Sequence, residues 1–353
     1  MARKMGNPYK HTEHHMSSDF KIEPLDFVFE GIMIEKLMNK IKELTKDIEY
    51  ETFKLGAIWY DNEDKKISDL RREIQGRLIF EMRDTFGKKP DFSNFDLDIL
   101  VDFAKEKIFI KIAPAFVKGK YCKFSRSIAQ TEYFCNKCKG LGCWYCKGTG
   151  HFSEESVEQL MGQVMVKYFK AKGLVIHGAG REDMDVLMLG KGRPFVAELL
   201  APEVRHPDLK KIGLEINKTF KEKISINSLE FCTLNDVSPT KDDPHDKIYR
   251  AIVSCKEEPD LSKLKIGQEM KVIQKTPTRV AKRRANLDRA KKVTILKIDQ
   301  TSKKELVIEL KTSHGTYVKE FISGDAEKTK PSIAAILGIQ CECEQLDVVE
   351  ICS

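Results

Sequence analysis

Four of the chain's ten cysteines fall within twelve residues, as Cys135-x-x-Cys138 and Cys143-x-x-Cys146. Each pair forms a knuckle offering two thiolates from one tight turn, and zinc takes four such ligands tetrahedrally. Gly140, Gly142 and Gly148 supply the backbone freedom that such turns need. The spacing predicts one structural zinc held by Cys135, Cys138, Cys143 and Cys146. Only residues 139–142 join the knuckles, fewer than a zinc ribbon places between its pairs. Cys122, His151 or a second chain therefore stands as an alternative source of a ligand, and reduced thiols in a loop are the bland reading. Cys232, Cys255, Cys341, Cys343 and Cys352 show no ligand spacing.

A second group suits acid–base or nucleophilic chemistry. His177-Gly-Ala-Gly180-Arg-Glu-Asp183-Met-Asp185-Val186 follows a predicted strand. Two glycines make a tight turn, after which Arg181, Glu182 and Asp183 are presented ahead of the next strand. A carboxylate held at a strand end is well placed to react, although an acid in a turn is more often structural or solvated. The third feature is basic. Residues 275–292 hold eight lysines and arginines (Lys275, Arg279, Lys282, Arg283, Arg284, Arg289, Lys291, Lys292) against the single acid Asp288. Such a run suits a phosphate backbone, and a solvated helix face equally well.

The elements that must position these groups follow from periodicity. Residues 1–22 read as a polar, flexible tail. An amphipathic helix starts at Ile32, with Ile34, Leu37, Met38, Ile41 and Leu44 at helical spacing. A strand over 52–59, a second helix ending near Met82, and strands over 97–103 and 107–113 complete an α+β unit. The cysteine module, 131–152, separates this front domain, 23–130, from the remainder, 153–353. Ser153 or Ser156 caps the next helix, with Ser156-x-x-Gln159 as a capping box and Gly173 as its stop. Short strands then recur over 174–177, 185–189, 195–201, 225–232, 249–254, 293–297 and 306–310, with a helix near 208–218. That pattern predicts an α+β domain around a central mixed, mainly antiparallel sheet.

The chain has 353 residues, 41% hydrophobic and 33% charged, with a net charge of +7, the composition of a soluble globular protein. No run reaches the roughly 18–20 apolar residues of a bilayer span, and the N-terminus lacks the apolar stretch of a signal peptide. These features point to a cytoplasmic protein that engages no membrane, in which a disulfide framework is not expected.

Gly180-Arg-Glu-Asp183-Met-Asp-Val resembles the catalytic motif of pseudouridine synthases. The longer run over 180–195 is similar to that of archaeal and eukaryotic tRNA pseudouridine synthases acting on positions 54 and 55. Lys247-Ile-Tyr249-Arg250 and Gly315-Thr-Tyr-Val-Lys319 resemble that family's two later motifs, in the same order. The resemblance implies an enzyme that isomerises uridine to pseudouridine in the tRNA T loop, without an organic cofactor. It also implies a pseudouridine synthase catalytic domain preceded by a THUMP-like RNA-binding domain.

Within that resemblance Asp183 is the catalytic carboxylate, acting on the ribose or taking its C2′ proton. Tyr249 is the platform for a flipped base and can assist removal of its C5 proton, and Lys319 is the cation paired with Asp183. A lysine there gives a point charge, not the bidentate fork of arginine. The basic run resembles the loop lying on the tRNA T arm. Lys275, Arg279, Lys282, Arg283 and Arg284 are accordingly expected at RNA, along with Arg181, Arg193 and Arg250. A THUMP-bearing methyltransferase or thiolation enzyme would need a longer glycine-rich or phosphate loop than Gly178-Ala-Gly180, and a zinc deaminase would need His-x-Glu ahead of a cysteine pair. A zinc-containing RNA-binding protein without catalysis would not carry Asp183, Tyr249 and Lys319 together.

Overall fold

The structure, a computed structural model, describes residues 21–24, 30–58, 65–103, 105, 107–153, 155–242, 244–281 and 285–352. Most of the expected N-terminal tail, Trp59 of the first expected strand, and Lys282, Arg283 and Arg284 lie outside the described residues. The chain divides into two compact units. One is drawn from Met1–Phe116, Met165–Val175 and Glu198–Asp208, the other from Val117–Val164, Ile176–Ala197 and Leu209–Ser353.

In the first unit, strand β1 (Lys21–Pro24) is followed by helix α1 (Glu30–Thr45), β2 (Thr52–Ile58), α2 (Lys65–Phe86), β3 (Lys89–Pro90), β4 (Leu97–Asp102) and β5 (Lys107–Ile112). The strands form one sheet in the order β1-β5-β4-β2-β3. Strands β2 and β4 run parallel, so the chain must cross over between them, and α2 is that crossover. Strand alternation buries Leu97, Ile99 and Val101 of β4 and Ile108 and Ile110 of β5. Helical periodicity buries Leu37 and Ile41 of α1 and Ile74, Leu78 and Met82 of α2, and these stripes share one core with the strand residues.

The larger sheet is built from β6 (Ala115–Lys123), β7 (Gly173–Gly178), β8 (Leu187–Leu200), β9 (Ile224–Cys232), β10 (Lys247–Cys255), β11 (Glu269–Gln274), β12 (Arg289–Ser302), β13 (Glu305–Thr312), β14 (Thr329–Lys330) and β15 (Cys341–Ile351). Helices α3 (Val157–Phe169), α4 (Leu209–Thr219), α5 (Val237–Asp242), α6 (Val318–Ser323) and α7 (Ile333–Leu337) lie between these strands in sequence. The strand order is β14-β11-β12-β13-β10-β15-β8-β6-β9, with β7 paired to β8. The ladder from β11 through β12, β13 and β10 to β15 is antiparallel, whereas β15 joins β8 in parallel, so the sheet is mixed.

Two features of this sheet bear on the chemistry. Val348 of β15 faces Met188 of β8 on one side and Tyr249 of β10 on the other. That register brings Tyr249 within two strands of the segment that follows Asp183. The strands expected over 185–189 and 195–201 are one continuous strand, β8. Gly190 and Gly192 at its middle adopt φ of 61° and 83°, which lets the strand bend without leaving the sheet. Of the two serines considered for α3, Ser156 caps it, its Oγ accepting from the Gln159 backbone N–H at 3.1 Å.

Candidate active site and cysteine cluster

Between β7 and β8 the chain makes a turn over 179–186 whose underside is tied down by buried charge. Gly180 takes φ +80°, and a Cβ there would come within 3.3 Å of Arg193 Nη1, so glycine is needed for conformation and for space. Glu182 is buried and accepts from Arg193 Nε at 2.8 Å and from the Tyr121 hydroxyl at 3.0 Å. Arg193 Nη1 donates to the Ala179 carbonyl at 2.6 Å, and Gln130 Nε2 donates to the Gly180 carbonyl at 2.9 Å. Lys123 Nζ donates to the Met184 carbonyl at 2.6 Å, and Arg126 Nη1 to the Asp185 carbonyl at 2.8 Å. Burial pushes the Lys123 ammonium down to about 8, partly offset by the charges of Glu182 and Asp185. Removing one partner of a buried pair such as Glu182–Arg193 costs about 3–5 kcal/mol, because the other charge is left uncompensated. The turn is held rigidly from below.

Arg193 was expected along an RNA path. It is instead 1% exposed. Its guanidinium satisfies Glu182 and a turn carbonyl, a bracing role that a motif by itself does not reveal.

The outward side of the turn carries Asp183 and Asp185. Lys319 does not pair with Asp183 as expected. Its Nζ lies 2.7 Å from Asp185 Oδ2, and Asp183 Oδ2 accepts from Arg279 Nη1 at 2.9 Å. The physical reason lies in the next residue of α6, Glu320, which is buried and needs a cation. Arg279 Nε donates to Glu320 Oε1 at 2.6 Å, and the planar fork still has Nη1 to offer Asp183. Lys319 has one charged atom on a flexible stem and takes the nearer outward carboxylate. Burial works against the Asp185 charge, but the hydrogen bond and charge of Lys319 hold its carboxyl below the usual range. The side chain of Asp183 remains 47% exposed, open to a ligand.

Tyr249 lies on β10, between Leu310 of β13 and Val348 of β15. Burial raises its phenol above the ordinary value, opposed by Arg193 and reinforced by the charges of Glu182 and Asp183. Lys247, two residues earlier on the same strand, opens the motif but has no role assigned from the sequence. It is buried, and burial followed by repulsion from Arg193 brings its ammonium down to about 8. Strand alternation puts the exposed Arg250 on the face opposite Tyr249, so it does not join this group. Arg181 is exposed, with its guanidinium 5.6 Å from the Tyr133 ring centroid, and Lys275 is exposed at the end of β11. Tyr121, Gln130 and Lys123 sit in ordinary-looking β6 and loop sequence, so no local signal marks them as parts of a site.

The four cysteines of the double knuckle converge, with all four Sγ atoms within 4.8 Å of one another. Cys135–Cys143, Cys138–Cys146 and Cys143–Cys146 are separated by 3.8, 3.7 and 3.7 Å. A tetrahedron with metal–sulfur bonds of about 2.3 Å has edges of about 3.8 Å, so the thiols fit a metal ion. Backbone N–H groups of Cys143 and Gly150 donate to Cys146 Sγ, each at 3.2 Å. Burial disfavours that thiolate, but these donors outweigh it and bring Cys146 down to about 6. Cys122 and His151 are not needed as ligands. Cys122 Sγ faces the Gly190 carbonyl at 3.5 Å, and His151 Nδ1 lies 3.3 Å from Glu132 Oε1.

An exposed carboxylate on a braced turn, met by a guanidinium, has the form of an enzyme site. The family model described as "Pus10, C-terminal" matches residues 116–352. The protein named tRNA pseudouridine synthase Pus10 from Methanocaldococcus jannaschii is 37% identical over 340 residues, covering 92% of this chain and 74% of its own length. Its namesake from Methanopyrus kandleri is 38% identical over 326 residues, covering 86% and 75%. That from Korarchaeum cryptofilum is 35% identical over 335 residues, covering 91% and 89%. A solved structure described as "Crystal Structure of a Cbf5-Nop10-Gar1 Complex" matches 55% of this chain and 44% of that one at 15% identity, with a TM-score of 0.31. The chain belongs to the Pus10 family, a family of isomerases whose curated members are named tRNA pseudouridine synthases. No helix among the described residues is long and apolar enough to cross a membrane.

Proposed function

We propose that the chain isomerises uridine to pseudouridine in the T loop of tRNA, at position 55 and also at 54, with Asp183 as the reacting carboxylate. The observation that carries this reading is the setting of Asp183. It is half-exposed on a turn anchored by buried Glu182 and Arg193, and is met by Arg279. Family membership supports the reaction class.

A flipped uridine sets its base against Tyr249 and its ribose against Asp183. The carboxylate adds to C1′ or removes the C2′ proton, and the C1′–N1 bond breaks. The uracil turns and C5 bonds to C1′ as the carboxylate–C1′ bond breaks or, on the other route, as C2′ regains its proton; the C5 proton then leaves and N1 gains one. Atoms and electrons balance with no organic cofactor. The raised phenol of Tyr249 stays protonated at neutral pH. Tyr249 acts as a stacking surface, and Tyr249 or a water helps remove the C5 proton.

In this reading Cys135, Cys138, Cys143 and Cys146 hold a structural zinc, whose closed shell leaves no position for substrate. The sheet of β1 to β5 belongs to a THUMP-like RNA-binding domain, residues 131–152 form the cysteine module, and the larger sheet, which already contains β6, belongs to the catalytic domain. Lys275, with Lys282, Arg283 and Arg284, neutralises T-arm phosphates, which makes binding steeply salt-dependent. Carbodiimide-stop primer extension on an unmodified tRNA transcript tests the assignment. Asp183→Asn is expected to abolish the product at both positions while tRNA is still bound, and retained product would refute the role of Asp183.

A further inference from the structure

The cysteine module exposes what a folded chain ordinarily hides. At its tip Leu141 is 92% exposed and Trp144 80% exposed, with Tyr145 also exposed. Each knuckle ends in Cys-Lys-Gly, and both lysines, Lys139 and Lys147, adopt a positive φ, of 49° and 53°. That conformation costs a lysine more than a glycine. Lys137 Nζ lies 4.2 Å from the Trp144 ring centroid and 4.4 Å from that of Tyr145. The module, residues 131–152, contains three lysines against one acid, Glu132, which lies against His151.

We propose that this tip is a second RNA contact, in which an unpaired base stacks on Trp144 while Lys137, Lys139 and Lys147 meet its phosphates. An exposed indole offers a flat face to any base, and lysines beside it supply the sequence-independent attraction to the backbone. A base within a duplex is already stacked, so the ligand is single-stranded or looped RNA. The contact is also continuous with the reactive turn. Tyr145 packs edge-on against Phe152 at 5.6 Å, Phe152 lies 5.3 Å from Tyr133, and Arg181 sits over Tyr133 two residues before Asp183. An acidic peptide would match the lysines but has no need of a flat indole. The inference rests on tRNA being the substrate, and it extends that reading to a further contact.

Trp59 and Trp144 are the chain's two tryptophans. In a Trp59→Phe background Trp144 reports alone, and it is titrated with a tRNA transcript, a single-stranded oligonucleotide and a fully paired duplex. Quenching by the first two and not by the duplex is expected. An unchanged emission at saturating tRNA, with binding verified on filters, overturns the proposal. In the native background, Trp144→Ala is expected to weaken tRNA binding about tenfold, and Trp144→Phe to restore most of it. Equal affinity of the alanine variant and the parent also overturns the proposal. Both readouts measure binding, so absence of pseudouridine would count against the reaction and not against this contact.

Discussion

Arg279 holds two carboxylates because a guanidinium is a fork and an ammonium is not. Its Nε serves buried Glu320, and Nη1 reaches Asp183. Both members of the Asp183–Arg279 pair are about half exposed, so the contact contributes little to stability, and in the proposed reaction its part is to aim the carboxylate. Arg279→Ala is expected to lower turnover at saturating tRNA roughly tenfold to a hundredfold, and Lys319→Ala, whose partner is Asp185, considerably less. Steady-state rates of the two variants check this, and the reverse order would restore Lys319 as the partner of Asp183. Lys247 makes a different point. Its ammonium is buried and lowered to about 8, so the folded state resists the charged form. Below pH 8 the folded protein bears that cost in full, about 3 kcal/mol. As pH rises from 8 toward 10.5 the unfolded chain binds the extra proton, and stability rises with pH. Lys247→Met should therefore be more stable than the parent at pH 7, with the advantage shrinking above pH 8. Urea midpoints across that range measure it, and a less stable variant at pH 7 would show that the charge is favourably solvated where it lies.

At the scale of elements, the cysteine module is a pair of turns with hardly any apolar core, and the side chains it does present are largely exposed. Its order must come from the cluster at its centre, where Cys135 is fully buried and N–H groups aim at Cys146. Metal analysis is expected to find one zinc per chain. Removing it with a strong chelator under reducing conditions should expose the four thiols to a thiol reagent and lower the melting temperature. Thiols equally protected with and without chelator would mean that no metal orders the module. Strand β8 argues the opposite case, an element ordered by its neighbours. Gly190 and Gly192 weaken it locally, yet pairing carries it through. Strand β15 is similar, since only Leu346 and Val348 after Cys341 are buried on it and it carries four acids, Glu342, Glu344, Asp347 and Glu350.

At the scale of the molecule, the two units are not two lengths of sequence laid end to end, because Met165–Val175 and Glu198–Asp208 belong with the first. Local periodicity has no access to that return. It does specify the helices whose apolar stripes are long, α1, α2 and α4, and the alternating strands β4 and β5. It also marks the double knuckle, since ligand spacing within twelve residues is a local property. The order of three motifs was equally legible, and so was Asp183 at the end of a strand. What surrounds Asp183 was not. Arg279 and Glu320 come from residues far along the chain, Arg193 turned inward, and Lys319 went to Asp185. Residue type and spacing state which chemistry a chain can offer. Which charge meets which depends on burial and on strand register, here the parallel pairing of β15 with β8 and the antiparallel pairing of β15 with β10. Those are properties of the packed sheet, where the need to compensate Glu320 and Glu182 decides the partners that spacing leaves open.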